Sequence, residues 1–388
     1  MKNILQGVTV LELGQVLAGP FAGAILADLG AEVIKLERVE GGDDARNMGT
    51  AFRYGDALNF HVFNRGKKSI AIDLKNSEGL AAFERLAASA DIFIHNMRPG
   101  VTKALGIDGE ALCGRHPQLI YCEISAFGHT GPMHMQPGYE PLIQAFSGLS
   151  SINGGPDDPP MRSGASVCDQ GTGMWAVIGA LAMLQRRGHT GRGGVVSASL
   201  LETALGWVGQ KADAYVNLQR LPDRHRSGHP GFVPYESFDT KDAPILICCG
   251  NDRLFAKFAQ ELGHSEWLDD ERFSSNRKRL VNKIALLEQL IPLLLKCTRA
   301  EWIERFNAAG VPCAPVNTVP EALADAQVQA LKMQSLVPGE DFVLTALPVS
   351  FDGQRPQHRS VAPKLGQHNK EFDVPERIDS SGGSGYRN

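Results

Sequence analysis

Apolar positions in the first half of the chain come in short bursts separated by stretches with helical spacing. Val8 to Leu13 is a short apolar-rich run, Gly14 to Leu29 is a glycine- and alanine-rich segment with helical periodicity, and Val33 to Leu36 is a second run. This reads as strand, helix, strand. The pattern returns: Ser69 to Leu74 is strand-like, a helix starts at Asn76 and runs through Ala88, Asp91 to Asn96 is strand-like, and Leu119 to Ile124 closes another unit. Strands alternating with helices of this length predict right-handed crossovers and an α/β fold with a mostly parallel sheet.

After a loop of turn-forming composition at Asn153–Ser163, a long helical stretch carries the chain from Asp169 to near Arg187, and Val195 to Leu200 is a further strand. From about Asp223 the character changes. RHRSGHPGFVPYESF is polar and turn-rich, Ile245 to Cys249 is one strong strand, and mostly helical sequence follows to Asn307. This predicts a second, smaller α+β domain. The boundaries expected are 1–205 for the first part of the large domain, 206–225 for a linker, 226–320 for the small domain and 321–378 for a linker and return. The Gly/Ser-rich end, 379–388, is expected to be disordered.

Composition narrows the function classes. The 388 residues are 43% hydrophobic and 21% charged, with a net charge of −4. No basic stripe interleaved with aromatics marks a nucleic-acid surface. The seven cysteines lack C-x-x-C spacing, which suits a reducing compartment and gives no zinc cluster; no metal site is expected. The start of the chain reads into a strand rather than a signal peptide, and the longest apolar run, Met174 to Leu184, falls well short of the ~20 residues a bilayer needs. A cytoplasmic protein without a membrane segment is the expectation.

Gly14 and Gly19 have the spacing of a phosphate loop, but Pro20 stands where its lysine belongs. Glu37 ends the second strand where a ribose-binding acid of a dinucleotide site would sit, yet the first turn, ELGQVLAGP, lacks G-x-G-x-x-G. His129 and His134 have no carboxylate motif around them. Cys168 as a thiol nucleophile is disfavoured by the neighbouring Asp169 charge. Asp169 itself is the only acid in SGASVCDQGTGMWAVIGALAML. It reads either as a helix N-cap or as a catalytic carboxylate, and the two roles are compatible.

The blocks AGPFAGAILADLGAEVIKLER, GGDDAR, FNRGKKSIAIDLK, NMRPG, ISAFGHTGP, PGYEPLIQAFSG, TGRG, AAGVPCAPVNT and APKLGQHN, in this order, resemble the class III CoA-transferases over nearly the whole chain. FGHTGP, ICCGNDRLF and RFSSN resemble the bacterial acetyl-CoA:oxalate subgroup. The resemblance implies a large Rossmann-like domain built from both chain ends, a small domain between two linkers, and an obligate, interlocked homodimer. It implies transfer of CoA from a small acyl-CoA, such as acetyl-CoA or succinyl-CoA, to a small carboxylic acid such as oxalate, through an aspartyl-CoA thioester on Asp169. The CoA thioester is then a substrate, and no tightly bound cofactor is expected.

By motif, the family's CoA contacts fall on Val16, Arg38, Ile72, Lys75, Asn96 and Tyr139, with Arg98 a further phosphate candidate, and Gly250 stands where the family carries a glycine loop over the site. From their sequence context alone, Arg38 and Lys75 could equally be surface charges and Gly250 a strand-end turn. Leu17 replaces the glutamine that formyl-CoA:oxalate transferases carry before AGP, and their run of glycines near 250 is missing, which argues against formyl-CoA as donor. Two alternatives remain: an α-methylacyl-CoA racemase-like enzyme, for which Tyr139 after Gly138 is a poor replacement for the family's histidine at neutral pH, and a non-catalytic CoA-binding protein, against which Asp169 is retained.

Overall fold

The computed structural model describes residues 4–374; the 379–388 tail lies outside the described residues. Two compact units are present. The first comprises the described residues up to Leu149, Arg162–Asp213 and those from Leu331 onward; the second comprises Ser150–Met161 and Ala214–Ala330.

The first unit is built on a six-stranded sheet. In chain order its elements are β1 (Thr9–Leu13), α1 (Ala18–Asp28), β2 (Glu32–Glu37), β3 (Lys68–Ala71), α2 (Ser77–Ser89), β4 (Ile92–His95), β5 (Ile120–Ser125), α3 (Glu140–Phe146), α4 (Val167–Thr190) and β6 (Gly194–Ser199). The strands lie side by side as β3-β2-β1-β4-β5-β6, and every pairing is parallel. The apolar runs therefore read as continuous rather than alternating, because both faces of a parallel sheet are covered. Val10, Leu11, Ile34, Leu36, Ile70, Phe93 and Ile94 are all buried. Strand order reverses between β1 and β4, and in open α/β sheets the crevice outside the strand ends at that point is where ligands bind.

Local chemistry sets the boundaries. The strand expected to run to Leu74 stops at Ala71, and Asp73 then forms a turn, its Oδ1 accepting from the Lys75 N–H at 3.0 Å. Asn76 caps α2, with its side-chain oxygen accepting from the Gly79 N–H at 2.7 Å. Asp169 is not the N-cap of its helix. Ser166 holds that position, and Asp169 lies in the first turn of α4. The segment 206–225, expected as a linker, is for most of its length the continuation of α5 (Leu200–Leu218).

α4 is long and apolar enough to cross a membrane by length and composition, but Gly171, Thr172, Gly173, Ala176, Val177 and Ala180 are buried. Small residues there allow close helix packing. A Cβ added at Gly173 would lie 2.8 Å from the Ala18 carbonyl oxygen of α1.

The second unit holds the antiparallel strands β7 (Tyr235–Phe238), β8 (Ile245–Cys248) and β9 (Cys313–Pro315), with β8 central. Its core is aromatic, including Phe255, Phe258, Trp267, Phe273, Trp302 and Phe306. The buried Arg279 stacks on Phe255 and donates to the carbonyls of Val233 and Phe273 and to Asp252.

Gly173→Ala forces the α1–α4 contact apart against main chain that cannot yield by a rotamer change. It should cost about 1–3 kcal/mol, read as a lowered urea midpoint with an unchanged denaturant slope. An unchanged midpoint would contradict this packing.

Candidate active site

The site begins with a charge network buried under the β1–α1 turn. Lys35 of β2 and Glu12 of β1 are register partners, and both are fully buried. The Lys35 ammonium donates to Glu12 at 2.9 Å and to the Gly14 carbonyl at 2.8 Å, and it pairs with Asp43 at 2.9 Å. Burial works against its charge, but Glu12, Asp43 and Glu37 outweigh that cost and raise its pKa. Lys67 lies 2.6 Å from the other Glu12 oxygen. Asp43 in turn accepts the Val16 N–H at 3.0 Å. Val16 has φ +64, a left-handed conformation that a β-branched residue adopts only under constraint.

Beside Val16, the Asn96 amide bonds the Gln15 backbone in both directions, each at 2.8 Å. Asn96 follows β4 and Gln15 follows β1, so this pair sits at the switch point of the sheet.

A cavity of about 1330 Å³ opens beyond the ends of β1, β2 and β3. Leu36, Ile72, Leu74, Met97, Val101 and Leu105 supply its apolar lining, and Gln15, Arg38 and Lys75 also line it. The Ile72 N–H is held by the Glu37 carbonyl at 2.9 Å. Arg38 donates to the Gly42 carbonyl and to Asp44, whereas the exposed Lys75 ammonium has no hydrogen bond or ion pair among the described residues. The structure thus brings Arg38, Ile72 and Lys75 to one cavity and places Val16 and Asn96 at the adjoining turn. Arg98 is exposed and lies on the segment leading to Val101, with its carbonyl accepting the Val101 N–H.

Asp169 is reached through a different set of contacts. Tyr139, 65% exposed, precedes α3, whose first residue, Glu140, is buried. Glu140 Oε1 accepts the Cys168 N–H at 3.0 Å and the Gln144 amide at 3.0 Å. Gln144 accepts the Ser163 N–H at 2.8 Å, tying down the approach to α4. Glu140 thereby caps α4 from 28 residues away, which no local sequence signal discloses.

The Asp169 carboxylate is partly buried and makes no hydrogen bond or ion pair among the described residues. Burial first, and the nearby Glu140 charge second, push its pKa from 3.8 up to about 7. The N-terminal turn of α4 favours the anion, but such an effect is worth only about 0.3–1 kcal/mol, less than one pKa unit. Asp169 is an under-solvated carboxylate poised near neutrality, free to attack an electrophile. The adjacent Cys168 is buried, its thiol pushed up to about 12 by burial and by Glu140 and Asp169, so it offers no competing thiolate.

Gly250 follows β8 in the second unit, just before Asn251 caps α6 (Asp252–Leu262). A Cβ there would meet no atom within 4 Å. Among the described residues, no cluster of three or more His, Cys, Asp or Glu could hold a metal ion.

The sequence profile of CoA-transferase family III matches residues 5–369; the chain belongs to that family and is an enzyme of its class. It is 36% identical to the succinate–glutarate CoA-transferase of Agrobacterium fabrum, over 95% of this chain and 94% of that one. It is likewise 36% identical to the acetyl-CoA:oxalate CoA-transferase of Acetobacter aceti, over 97% of each. A crystal structure of a CaiB/BaiF family protein from Brucella suis superimposes with a TM-score of 0.88 at 36% identity, covering 96% of this chain and 99% of that one.

A carboxylate nucleophile must be ionised, so kcat/KM should rise with pH through a limb near 7. Glu140→Gln keeps the oxygen that caps Cys168 but removes the like charge beside Asp169. That limb should move to lower pH by roughly half a unit to one unit. A limb that stays in place would show that Glu140 does not act on Asp169.

Proposed function

We propose that the enzyme transfers CoA from a small acyl-CoA, acetyl-CoA or succinyl-CoA, to a small carboxylic acid such as oxalate, with Asp169 as the covalent nucleophile. The observation that carries this reading is the partly buried, unpartnered Asp169 carboxylate with its pKa raised to about 7. The activities for which the Agrobacterium and Acetobacter relatives are named support the two donors and the size class of the acids.

Asp169 attacks the thioester carbonyl, giving a mixed anhydride and releasing CoA thiolate. The thiolate then attacks the Asp169 carbonyl of that anhydride, forming the aspartyl-CoA thioester and freeing the donor acid as its carboxylate. The acceptor carboxylate displaces CoA thiolate from Asp169 to make a second mixed anhydride. Attack of the thiolate on the acceptor-derived carbonyl yields the new acyl-CoA and restores Asp169. One difficult exchange becomes a series of easier acyl transfers, with no net proton released. Glu140 favours this sequence by holding the Asp169 carboxylate high in energy until charge leaves it.

In this reading the nucleotide end of CoA occupies the cavity at the ends of β1, β2 and β3. Its adenine lies against apolar residues such as Ile72, while Arg38 and Lys75 meet its phosphates, with Arg98 within the same approach. Val16 and Asn96 border the path from that cavity toward α4, and Tyr139 belongs to the acyl end.

The enzyme is proposed to work as a homodimer in a reducing, cytoplasmic setting. Trp175 and Ile178 of α4 and Leu205 and Trp207 of α5 are exposed apolar residues, a surface that a second copy of the chain would cover. All seven cysteines are free.

Mixing enzyme with acetyl-CoA or succinyl-CoA and oxalate should give oxalyl-CoA by mass spectrometry, and Asp169→Ala should lower the rate by at least about 10³-fold. Another new thioester from a panel of dicarboxylic acids would replace oxalate as the acceptor. Equal turnover by Asp169→Ala would refute the covalent mechanism.

A further inference from the structure

β3 is the edge strand of the six-stranded sheet, and its C-terminal end is the floor of the cavity, through Ala71 and Ile72. An edge strand exposes a row of unpaired backbone groups. Here a segment from the far end of the chain satisfies them. The His368 N–H donates to the Ser69 carbonyl at 3.0 Å, and the Ser69 N–H donates to His368 Nδ1 at 3.1 Å. The buried Asn369 then acts as a strand in one side chain. Its Oδ1 accepts the Ala71 N–H at 2.9 Å and its Nδ2 donates to the Ala71 carbonyl at 3.0 Å.

The same segment contributes Leu365, Gly366, Asn369 and Val374 to the cavity lining. It approaches so closely that a Cβ at Gly366, which has φ +67, would lie 3.1 Å from the Ala71 Cβ. The Gly366 N–H donates to Ser69 Oγ at 3.0 Å, and that hydroxyl donates to Glu37 at 2.6 Å. Val374 is packed into the cluster that holds Ile72 and Leu74.

We infer that Pro363–Val374 is a fixed wall of the nucleotide pocket and that Asn369 is a positioning residue for CoA, acting through the Ala71–Ile72 backbone. The inference rests on the reading that this cavity receives the nucleotide end of CoA. Asn369 lies on the wall and floor of that cavity, while the nucleophile lies on α4, so its contribution falls on the nucleotide part of the substrate and leaves the acyl-transfer steps alone.

The test compares two donors, acetyl-CoA and acetyl-pantetheine, which has the same thioester but no nucleotide. Asn369→Ala should raise KM for acetyl-CoA and Kd for CoA by roughly tenfold, the cost of losing a paired buried hydrogen-bonding group. It should leave kcat, and the kinetics with acetyl-pantetheine, unchanged. Leu365→Ala trims the wall without touching those hydrogen bonds and should weaken CoA in the same selective way, which keeps the test intact if Asn369→Ala fails to fold. A folded Asn369→Ala with wild-type CoA affinity, a Leu365→Ala with wild-type CoA affinity, or equal losses with both donors would overturn the inference. If wild type shows no preference for acetyl-CoA over acetyl-pantetheine, it is the assignment of the cavity to the nucleotide that fails.

Discussion

The ammonium of Lys35 is the interaction on which the site depends. A lysine in the middle of a buried parallel strand is tolerated only when all of its charge and hydrogen-bonding capacity is met. Here Glu12, Asp43 and the Gly14 carbonyl meet it. Each partner belongs to a different piece of the crevice: β1 itself, the loop after β2, and the first residue of the turn after β1. Removing one partner of such a buried pair generally costs about 3–5 kcal/mol. The network therefore holds Val16 in its left-handed conformation through Asp43 and leaves the Gln15 backbone where Asn96 can bond it on both sides.

From that fixed turn, α1 starts at Ala18, and the glycine face of α4 packs against it. Glu37 extends the order outward. It pairs with Arg46, accepts the Asp43 N–H and is bonded by Ser69, whose hydroxyl also receives the C-terminal segment. Arg46 reaches the Pro363 carbonyl as well. Residues more than 300 positions apart in the chain thus share one set of charge-assisted bonds. Such bonds are stronger than neutral ones and directional enough to fix loops that have little apolar core of their own.

The parallel sheet was legible because β1, β2 and β4 are short apolar runs spaced by helix-length segments, a pattern that few other architectures satisfy. The capped start of α2 at Asn76 was legible for a local reason too. Where the determinant is distant in sequence, the reading failed. Asp169 resembles an N-cap by composition, but Ser166 holds that position, Glu140 accepts the Cys168 N–H, and the Asp169 carboxylate is left unpartnered. The segment 206–225, expected as a linker, holds the boundary between the two units at Asp213 and Ala214, but its helical form as far as Leu218 was not foreseen. Asn369 closes the APKLGQHN block that carries the resemblance, but its role is hidden there, since it exists only once β3 becomes the sheet edge. Lys35 did leave a trace: a lysine inside VIKLE and an acid inside VLEL, in strands expected to be buried, call for each other.

In the proposed reaction Asp169 alternates between carboxylate, anhydride and thioester. The most direct test is to quench enzyme and acetyl-CoA in the absence of acceptor, treat the protein with hydroxylamine, and map peptides by mass spectrometry. An intact-protein mass increased by one CoA minus water, converted by hydroxylamine to a hydroxamate located at Asp169, is the predicted result. A CoA adduct on any other residue, or turnover with no covalent species at Asp169, would contradict it.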